Sequence, residues 1–287
     1  SARPGPYHAR PPVSSCSCCC LLLFVLVLVV GCCCQVSATV HAGQLTALMG
    51  ESGSGKTSLL KVLCGRRAPF LKGASVRGDL LCNGHACDPP PACVGYMPQD
   101  DALPSGLTVV ETLRLSAELH LPPDIPPPGG SSSDRTSDQQ HTYASTGRHA
   151  AAAASVEAVL ETLQLRPVAH AMSSSASSTF PGAAAVGGSG LSGGERRRLS
   201  LGVALVTRPA VLLLDEPTTS LDAANARLVL RALSSYARHG ATVVLTLHQP
   251  RDEPFQAVDA LLLLARSRLV YAGERRAAVP FLTAQLP

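Results

Sequence analysis

The stretch Gly50-Glu51-Ser52-Gly53-Ser54-Gly55-Lys56-Thr57 decides the fold, because it fits the pattern G-x-x-x-x-G-K-[ST] at every fixed position. Glycines let the backbone approach a polyphosphate, so that N–H groups and the positive end of the next helix meet its negative charges. We expect this phosphate loop to bind ATP, with the Lys56 ammonium on the outer phosphates and the Thr57 hydroxyl on Mg²⁺. Ser58 completes the predicted nucleotide-binding set.

The residues around the loop predict a strand, a turn and a helix in that order. Residues 45–49 (LTALM) are a short apolar run typical of a strand, and residues 57–67 have the apolar spacing of a helix. Residues 36–40 and 76–82 read as further strands. A β-rich region is therefore expected beside the phosphate loop.

Composition excludes some classes of protein. A net charge of +4 on 287 residues is mild, whereas a dedicated nucleic-acid binder carries denser and clustered basic residues. Seven of the eleven cysteines lie in one apolar tract, residues 16–34, and the others are scattered without the paired spacing of a zinc site. Free thiols in a nucleotide-using chain favour a reducing compartment and hence the cytosolic side of a membrane.

The apolar tract, residues 16–34, has three interpretations that the sequence leaves open. It has no charge and is long enough for a marginal membrane span, so a membrane segment is the first. A targeting segment is the second, and a buried strand or a biased leader is the third. Residues 1–15 are expected to be a disordered leader, and the missing initial Met suggests a fragment or a processed chain.

A helical subdomain is predicted over about residues 100–200 of a domain spanning 35–287. Thr108 and Glu111 have the spacing of a capping box, which opens a helix running to about His120. Residues 122–150 are rich in Pro, Gly, Ser, Gln and Asp and poor in apolar residues, which predicts a disordered insertion. Residues 155–165 are helical in pattern again, and residues 173–188 form a second small-residue linker.

Two carboxylates follow the apolar run Val211-Leu212-Leu213-Leu214. Such a run reads as a buried parallel strand that delivers Asp215 and Glu216 to its C-terminal end, where ligands bind in open α/β sheets. We expect Asp215 in the Mg²⁺ shell and Glu216 as the general base that polarises the attacking water.

A second glycine motif, Leu191-Ser192-Gly193-Gly194-Glu195, combines a capping box with two glycines at a helix start. Exposed N–H groups and the positive end of the helix dipole make it a second anion-binding element. One triphosphate does not need two such elements from a single chain. A head-to-tail dimer resolves this, with Ser192, Gly193 and Gly194 of one subunit closing over the phosphate loop of the other.

These motifs together resemble the nucleotide-binding domain of ATP-binding cassette (ABC) transporters. The order and spacing of the phosphate loop, Gln99, the second glycine motif, the Asp215-Glu216 strand, Ser220-Leu221-Asp222 and His248 match that family. The runs at residues 43–50, 192–198 and 246–251 are similar to its G, or white, subfamily of half-transporters. The resemblance covers about residues 36–282.

The resemblance implies a fold and further roles. The fold is the ABC ATPase variant of α/β: a phosphate-loop NTPase core of mainly parallel sheet, an antiparallel β subdomain and a helical subdomain. Gln99 is implied to contact Mg²⁺ and the attacking water, and His248 the γ-phosphate. Asp222 belongs to the loop that communicates across the dimer.

The sequence also departs from the family pattern. No aromatic residue stands between Cys32 and Gly50 to stack on adenine, and Phe24, the nearest, lies in the apolar tract. Thr219-Ser220 replaces the more usual Ser-Gly. The family continues into membrane helices at the point where this sequence ends, which predicts a subunit or fragment.

We therefore expect an ATPase subunit of an ABC transporter, in which MgATP closes the dimer, hydrolysis reopens it, and the motion drives transport. Its expected partners are a second nucleotide-binding domain, identical or different, and a transmembrane domain in the same full-length chain or another. A lipid or small hydrophobic molecule is the candidate substrate, the location is the cytosolic face of a membrane, and no nucleic acid is expected. The alternatives are a soluble ABC ATPase outside transport and an ATP-binding regulatory module with little turnover.

Overall fold

A mixed sheet of ten strands is the main feature of the computed structural model, which describes residues 21–30, 32–65, 75–82, 85–86, 93–121, 137–173, 190–248 and 252–285. The chain divides into two units. The helical unit contains Asp100–Arg208 and Ser220–Asp222, and the sheet unit contains Ser15–Gln99, Pro209–Thr219 and Ala223–Pro287.

Parallel strands form the half of the sheet that carries the phosphate loop. The strands are β1 (Leu21–Val30), β2 (Cys32–His41), β3 (Leu45–Gly50), β4 (Ser75–Cys82), β5 (His85–Ala86), β6 (Val94–Met97), β7 (Val211–Leu214), β8 (Thr242–Thr246), β9 (Ala260–Ala265) and β10 (Arg268–Glu274). Their spatial order is β5-β4-β1-β2-β10-β9-β3-β8-β7-β6. From β9 to β6 all neighbours are parallel, whereas β1 pairs antiparallel with β2 and β4, and β10 pairs antiparallel with β9. The predicted fold class, a mainly parallel core with an antiparallel β part, is confirmed.

The helices are α1 (Lys56–Leu63), α2 (Val109–His120), α3 (Ser137–Thr162), α4 (Gly193–Leu205), α5 (Ala223–Arg238), α6 (Asp252–Gln256) and α7 (Arg275–Gln285). In the sheet unit, α1 packs Leu59, Leu60 and Leu63 into a cluster with sheet residues such as Leu213 and Val244. Every residue of β7 and β8 is buried, as expected for parallel strands covered on both faces.

Three helices of the helical unit, α2, α3 and α4, pack against one another. A Cβ at Gly202 of α4 would lie 3.0 Å from Val159 of α3 and 3.1 Å from Leu113 of α2, so a glycine is what lets these helices approach. The predicted capping box at the start of α2 is confirmed, since Thr108 and Glu111 exchange both of its hydrogen bonds. Thus α2 begins and ends where the sequence pattern predicts.

The apolar tract forms strands where it is described. Leu21–Val30 is β1, and Cys32–Cys34 begins β2, so the structure agrees with the strand interpretation rather than with the membrane segment placed first. Pairing on both sides supplies the physical reason, because β1 hydrogen-bonds to β2 and to β4 and thereby becomes an interior strand. No helix among the described residues is both long and apolar enough to cross a bilayer. Residues 1–20 lie outside the described residues.

The predicted disordered insertion, residues 122–150, is wrong over its second part. Ser137–Thr162 is one helix, so residues 137–150 are its first half. Proline is absent from this stretch, and the alanines at 150–154 favour helix, so the helix extends toward its N-terminus at small cost per residue. Residues 122–136 lie outside the described residues, as does the linker predicted at residues 173–188 apart from Ser173.

Candidate nucleotide site

The phosphate loop connects β3 to α1 and depends on glycine for its shape. A Cβ at Gly50 would collide with the backbone carbonyl oxygen of Leu264 in β9. Gly55, the N-cap of α1, has φ 95°, and no side chain accepts a hydrogen bond from the first turn of the helix. The N-terminal amides of α1 are therefore left for a ligand rather than capped.

Two polar side chains of the phosphate loop, those of Lys56 and Ser54, are buried. Lys56 is 8% exposed, and its Nζ donates to the carbonyl oxygens of Gly50 at 2.9 Å and Glu51 at 2.8 Å. An ammonium has three N–H donors, so a third can meet an anion. Ser54 is 2% exposed, and its buried Oγ has no hydrogen-bond partner among the described residues.

Four neighbouring parallel strands end at the same edge of the sheet. The carboxyl ends of β3, β8, β7 and β6 lie in register there. The segments that follow carry the predicted site residues of the sheet unit: the phosphate loop, His248, Asp215, Glu216 and Gln99. Residues that are up to two hundred positions apart in sequence are thus brought to one edge, which is where open α/β sheets bind their ligands.

A threonine that sequence reasoning missed connects the two carboxylate residues. Thr246, the last residue of β8, donates from Oγ1 to Asp215 Oδ1 at 2.8 Å and accepts from the Glu216 backbone N–H at 2.6 Å. Asp215 is only 1% exposed and Thr246 is fully buried. Sequence reasoning assigned Thr246 no role of its own, because a threonine at the end of an apolar run is typical of any strand.

The Glu216 side chain lies near two polar groups. Its Oε2 accepts from Thr219 Oγ1 at 3.0 Å, and Gln99 Nε2 lies at 3.5 Å, the outer limit of a hydrogen bond. Gln99 is exposed, as is His248 two residues after β8. This arrangement leaves a carboxylate, an amide and an imidazole accessible beside the buried Asp215.

The phosphate loop is also hydrogen-bonded to the turn between β9 and β10. Glu51 Oε1 accepts a hydrogen bond from the Arg266 backbone N–H at 3.0 Å, in the turn between β9 and β10. Ser52 is exposed, and Thr57 and Ser58 are half-buried at the start of α1. The hydrogen bond between Arg266 and Glu51 restrains the first half of the loop.

The second glycine motif lies in the helical unit and forms the capping box predicted for it. The Ser192 hydroxyl and backbone N–H both donate to Glu195 Oε2, at 2.7 and 2.8 Å, and Ser192 Oγ accepts from the Glu195 backbone N–H at 3.3 Å. The hydrogen bonds from the Ser192 hydroxyl and then its backbone hold the pKa of Glu195 below its usual value of 4.5. Gly193, the first residue of α4, has open space where a Cβ would stand. Backbone N–H groups are therefore accessible at this helix start.

An ion pair fixes α4 within the helical unit. Arg197 Nη1 lies 2.8 Å from Asp101 Oδ1, and the two side chains are 6% and 21% exposed. Asp101 stands two residues after Gln99 in the chain. Asp222 belongs to this same unit, as do Ser192, Gly193 and Gly194.

The donors present fit a triphosphate and a hard cation. The buried hydroxyl of Ser54, the amides of α1 and the Lys56 ammonium are donors of the kind that bind phosphate oxygens. Thr57, Asp215 and Gln99 supply oxygen ligands of the kind that Mg²⁺ takes. No cluster of three or more His, Cys, Asp or Glu side chains suited to a metal occurs among the described residues, and Mg²⁺ characteristically shares few protein ligands with substrate phosphates.

Comparison with known proteins agrees with this geometry. The family model described as ABC transporter matches residues 33–219, more than half of the chain. ABC transporter G family member 22 of Dictyostelium discoideum is 36% identical over 242 residues, which are 84% of this chain and 34% of that protein. The Mus musculus protein named broad substrate specificity ATP-binding cassette transporter ABCG2 is 37% identical over 241 residues, 83% of this chain and 31% of that protein.

The similarity extends over most of this sequence but only part of each relative. ABC transporter G family member 12 of Dictyostelium discoideum is 33% identical over 239 residues, and this chain again covers 32% of it. The chain thus spans about a third of the length of the curated relatives it matches. From the family model, the G-family relatives and the phosphate-loop geometry together, the chain belongs to the ABC transporter family and contains its ATP-binding ATPase domain, of the G-family type.

Proposed function

We propose that this chain binds and hydrolyses MgATP as the energy-coupling part of a membrane transporter. One observation carries the proposal: four parallel strands end side by side and bring the phosphate loop, Asp215, Glu216, Gln99 and His248 to one edge of the sheet. A phosphate cradle, a buried carboxylate and an accessible carboxylate together are parts that transfer of the γ-phosphoryl group to water uses.

The proposed reaction is the attack of water on the γ-phosphorus of ATP. Glu216 accepts the proton of the water as its oxygen bonds to phosphorus, while the bond from the γ-phosphorus to the bridging oxygen breaks to leave ADP and phosphate. Gln99 orients that water, and His248 contacts the γ-phosphate. Thr57, Asp215 and Gln99 would hold Mg²⁺, which would neutralise charge on the phosphates.

The completed site is proposed to need a second subunit. Ser192, Gly193 and Gly194 present helix N–H groups from the helical unit, and Asp222 stands in the loop proposed to communicate across the dimer. In a head-to-tail pair each subunit contributes its phosphate loop to one site and its second glycine motif to the other. Binding of ATP closes this pair and hydrolysis opens it.

The role in transport is inferred from the family to which the chain belongs, whereas no single residue indicates it. The relatives named above are transporters and are about three times as long as this chain. We place the ATP site on the cytosolic face, where ATP is available, joined to a transmembrane domain in the same full-length chain or in a partner. A lipid or another small hydrophobic molecule is the proposed substrate.

Replacement of Glu216 by Gln tests the proposal. The amide keeps the shape of the side chain but cannot accept a proton, so we expect ATP to bind with unchanged affinity and turnover to fall by at least about 100-fold. Size-exclusion chromatography with ATP should then show a persistent dimer. Glu161→Gln, at an exposed position of α3, is the matched control and should hydrolyse ATP normally.

The proposal fails if Glu216→Gln retains full ATPase activity, or if the wild-type chain binds ATP without hydrolysing it at any protein concentration. The second result would favour a regulatory module that holds ATP.

A further inference from the structure

Thr246 uses both hydrogen-bonding functions of its hydroxyl on the two carboxylate residues. A hydroxyl has one proton to donate, and an ionised carboxylate can only accept, so the proton lies toward Asp215 Oδ1 at 2.8 Å. The oxygen lone pair accepts the Glu216 N–H at 2.6 Å. This one oxygen thus links the Asp215 carboxylate to the Glu216 backbone.

The ladder between β7 and β8 explains why a side chain is needed here. The last residue pair joins Leu214 to Leu245, so Glu216 lies beyond the ladder, and its amide has no strand partner to continue the pattern. Leaving this partly buried amide without a partner would be costly. The Thr246 hydroxyl accepts the hydrogen bond that a carbonyl oxygen of the neighbouring strand would otherwise accept.

The backbone of Glu216 is strained, and the hydrogen bond from its N–H to Thr246 Oγ1 stabilises this strained conformation. Its φ is 51°, in the left-handed region that a non-glycine residue adopts at a cost of about 1–2 kcal/mol. A contact that persists only in this conformation favours it over its alternatives. The direction in which the Glu216 carboxylate leaves the chain therefore depends on Thr246.

We propose that Thr246 is a positioning residue for ATP hydrolysis. It orients the Asp215 oxygen for Mg²⁺ and holds the left-handed Glu216 backbone so that the Glu216 carboxylate faces the attacking water. This inference rests on the proposed function, because it assigns Thr246 a role in that same reaction.

Replacement of Thr246 by Val removes the hydroxyl, keeps the shape and suits a strand. We expect a 10- to 100-fold fall in kcat, the usual effect of losing a residue that orients a metal ligand, with little change in KM for ATP. Thr246→Ser keeps the hydroxyl and should stay within about threefold of wild type. Thr242→Val is the matched control, because Thr242 is 1% exposed on the same strand and its Oγ1 has no hydrogen-bond partner among the described residues.

Binding of a fluorescent ATP analogue provides a readout that does not depend on turnover. The affinity without Mg²⁺ should be the same in all four proteins, while Thr246→Val should need about tenfold more Mg²⁺ than the others to reach its tight-binding state. Thermal unfolding of each variant without nucleotide separates this effect from loss of stability.

Three results would overturn the role of Thr246: unchanged kcat and Mg²⁺ dependence in Thr246→Val, an equal defect in Thr246→Ser, or an equal defect in Thr242→Val. If the wild-type chain binds ATP but does not hydrolyse it, the proposed function fails. The Mg²⁺ dependence of binding then still decides whether Thr246 orients the Asp215 oxygen for Mg²⁺.

Discussion

The Leu264 carbonyl oxygen occupies the space that a Cβ on residue 50 would require. In this loop a glycine is thus needed at residue 50 for contact with β9, and at residue 55 for a left-handed turn into α1. The same reasoning applies to Thr246, whose single oxygen serves two partners. The geometry of the site therefore depends on individual atoms. Substitutions that add or remove one of these atoms should each have an effect that can be measured separately.

Replacement of Gly50 by Ala should lower the free energy of unfolding by about 2–4 kcal/mol, because the backbone of the loop or of β9 must move. Gly43→Ala is the control, since Gly43 also has a positive φ, 82°, but no atom lies within 4 Å of the added Cβ. It should cost only the conformational strain, about 1–2 kcal/mol. Chemical denaturation measures both, and equal losses would show that collision with Leu264 is unimportant.

Helix starts illustrate how one local motif can serve two purposes. Both α2 and α4 begin with a complete capping box, Thr108 with Glu111 and Ser192 with Glu195. The hydrogen bonds from Thr108 also lower the pKa of Glu111, backbone first. Only α4 follows its cap with a glycine pair, and that difference separates a structural helix start from one proposed to bind phosphate.

Ser192→Ala should cost about 1 kcal/mol of stability at pH 7. Because the pKa of Glu195 is lowered in the folded state, the contribution of the box is fully present above the usual value of 4.5 and is lost as the pH falls through the lowered pKa. The difference between wild type and variant should therefore shrink in denaturation curves measured at acidic pH.

Thr108→Ala provides the comparison for function. It removes the equivalent box from α2 and should also destabilise the chain, but it should leave ATP-dependent dimer formation intact, whereas Ser192→Ala should weaken it. If both variants dimerise equally well with ATP, the proposed phosphate role of the second glycine motif is wrong.

The division of site residues between two units is the main property of the molecule as a whole. The phosphate loop, Asp215 and Glu216 belong to the sheet unit, and the second glycine motif and Asp222 belong to the helical unit. If each ATP site is built from the sheet unit of one subunit and the helical unit of another, defects in different units should complement each other in a mixed dimer.

Lys56→Ala and Gly193→Asp should each be inactive alone, the first through the phosphate loop and the second through an added charge at the helix start. A 1:1 mixture should recover about a quarter of wild-type activity, because half of the dimers are mixed and each of those has one intact site of two. Measurement of ATPase activity against mixing ratio tests this.

The control mixture combines Lys56→Ala with Glu216→Gln. Both defects lie in the sheet unit, so every site in a mixed dimer remains defective and no activity should return. Recovery in the control mixture, or none in the first, would contradict the head-to-tail arrangement.

Several elements were predictable because their signals are local. The capping boxes of α2 and α4 and the buried strand β7 follow the sequence patterns, since caps and apolar runs act within a few residues. The apolar tract was ambiguous because a continuous apolar run suits a membrane or a sheet interior equally. Only its pairing with β2 and β4 distinguishes the two. The first half of α3 was missed because its residues have weak individual preferences and the helix extends from the alanine-rich part.

The sequence by itself determined the phosphate loop, the two carboxylates and the family, because each is a short pattern whose chemistry depends on residue type and spacing. The tertiary structure alone decided that Leu264 restricts residue 50 and that Thr246 joins Asp215 to Glu216. Both contacts link residues that are far apart in the chain and meet only after the strands have paired. The physical reason is that spacing encodes local geometry, whereas contact across a sheet depends on the order and register of its strands.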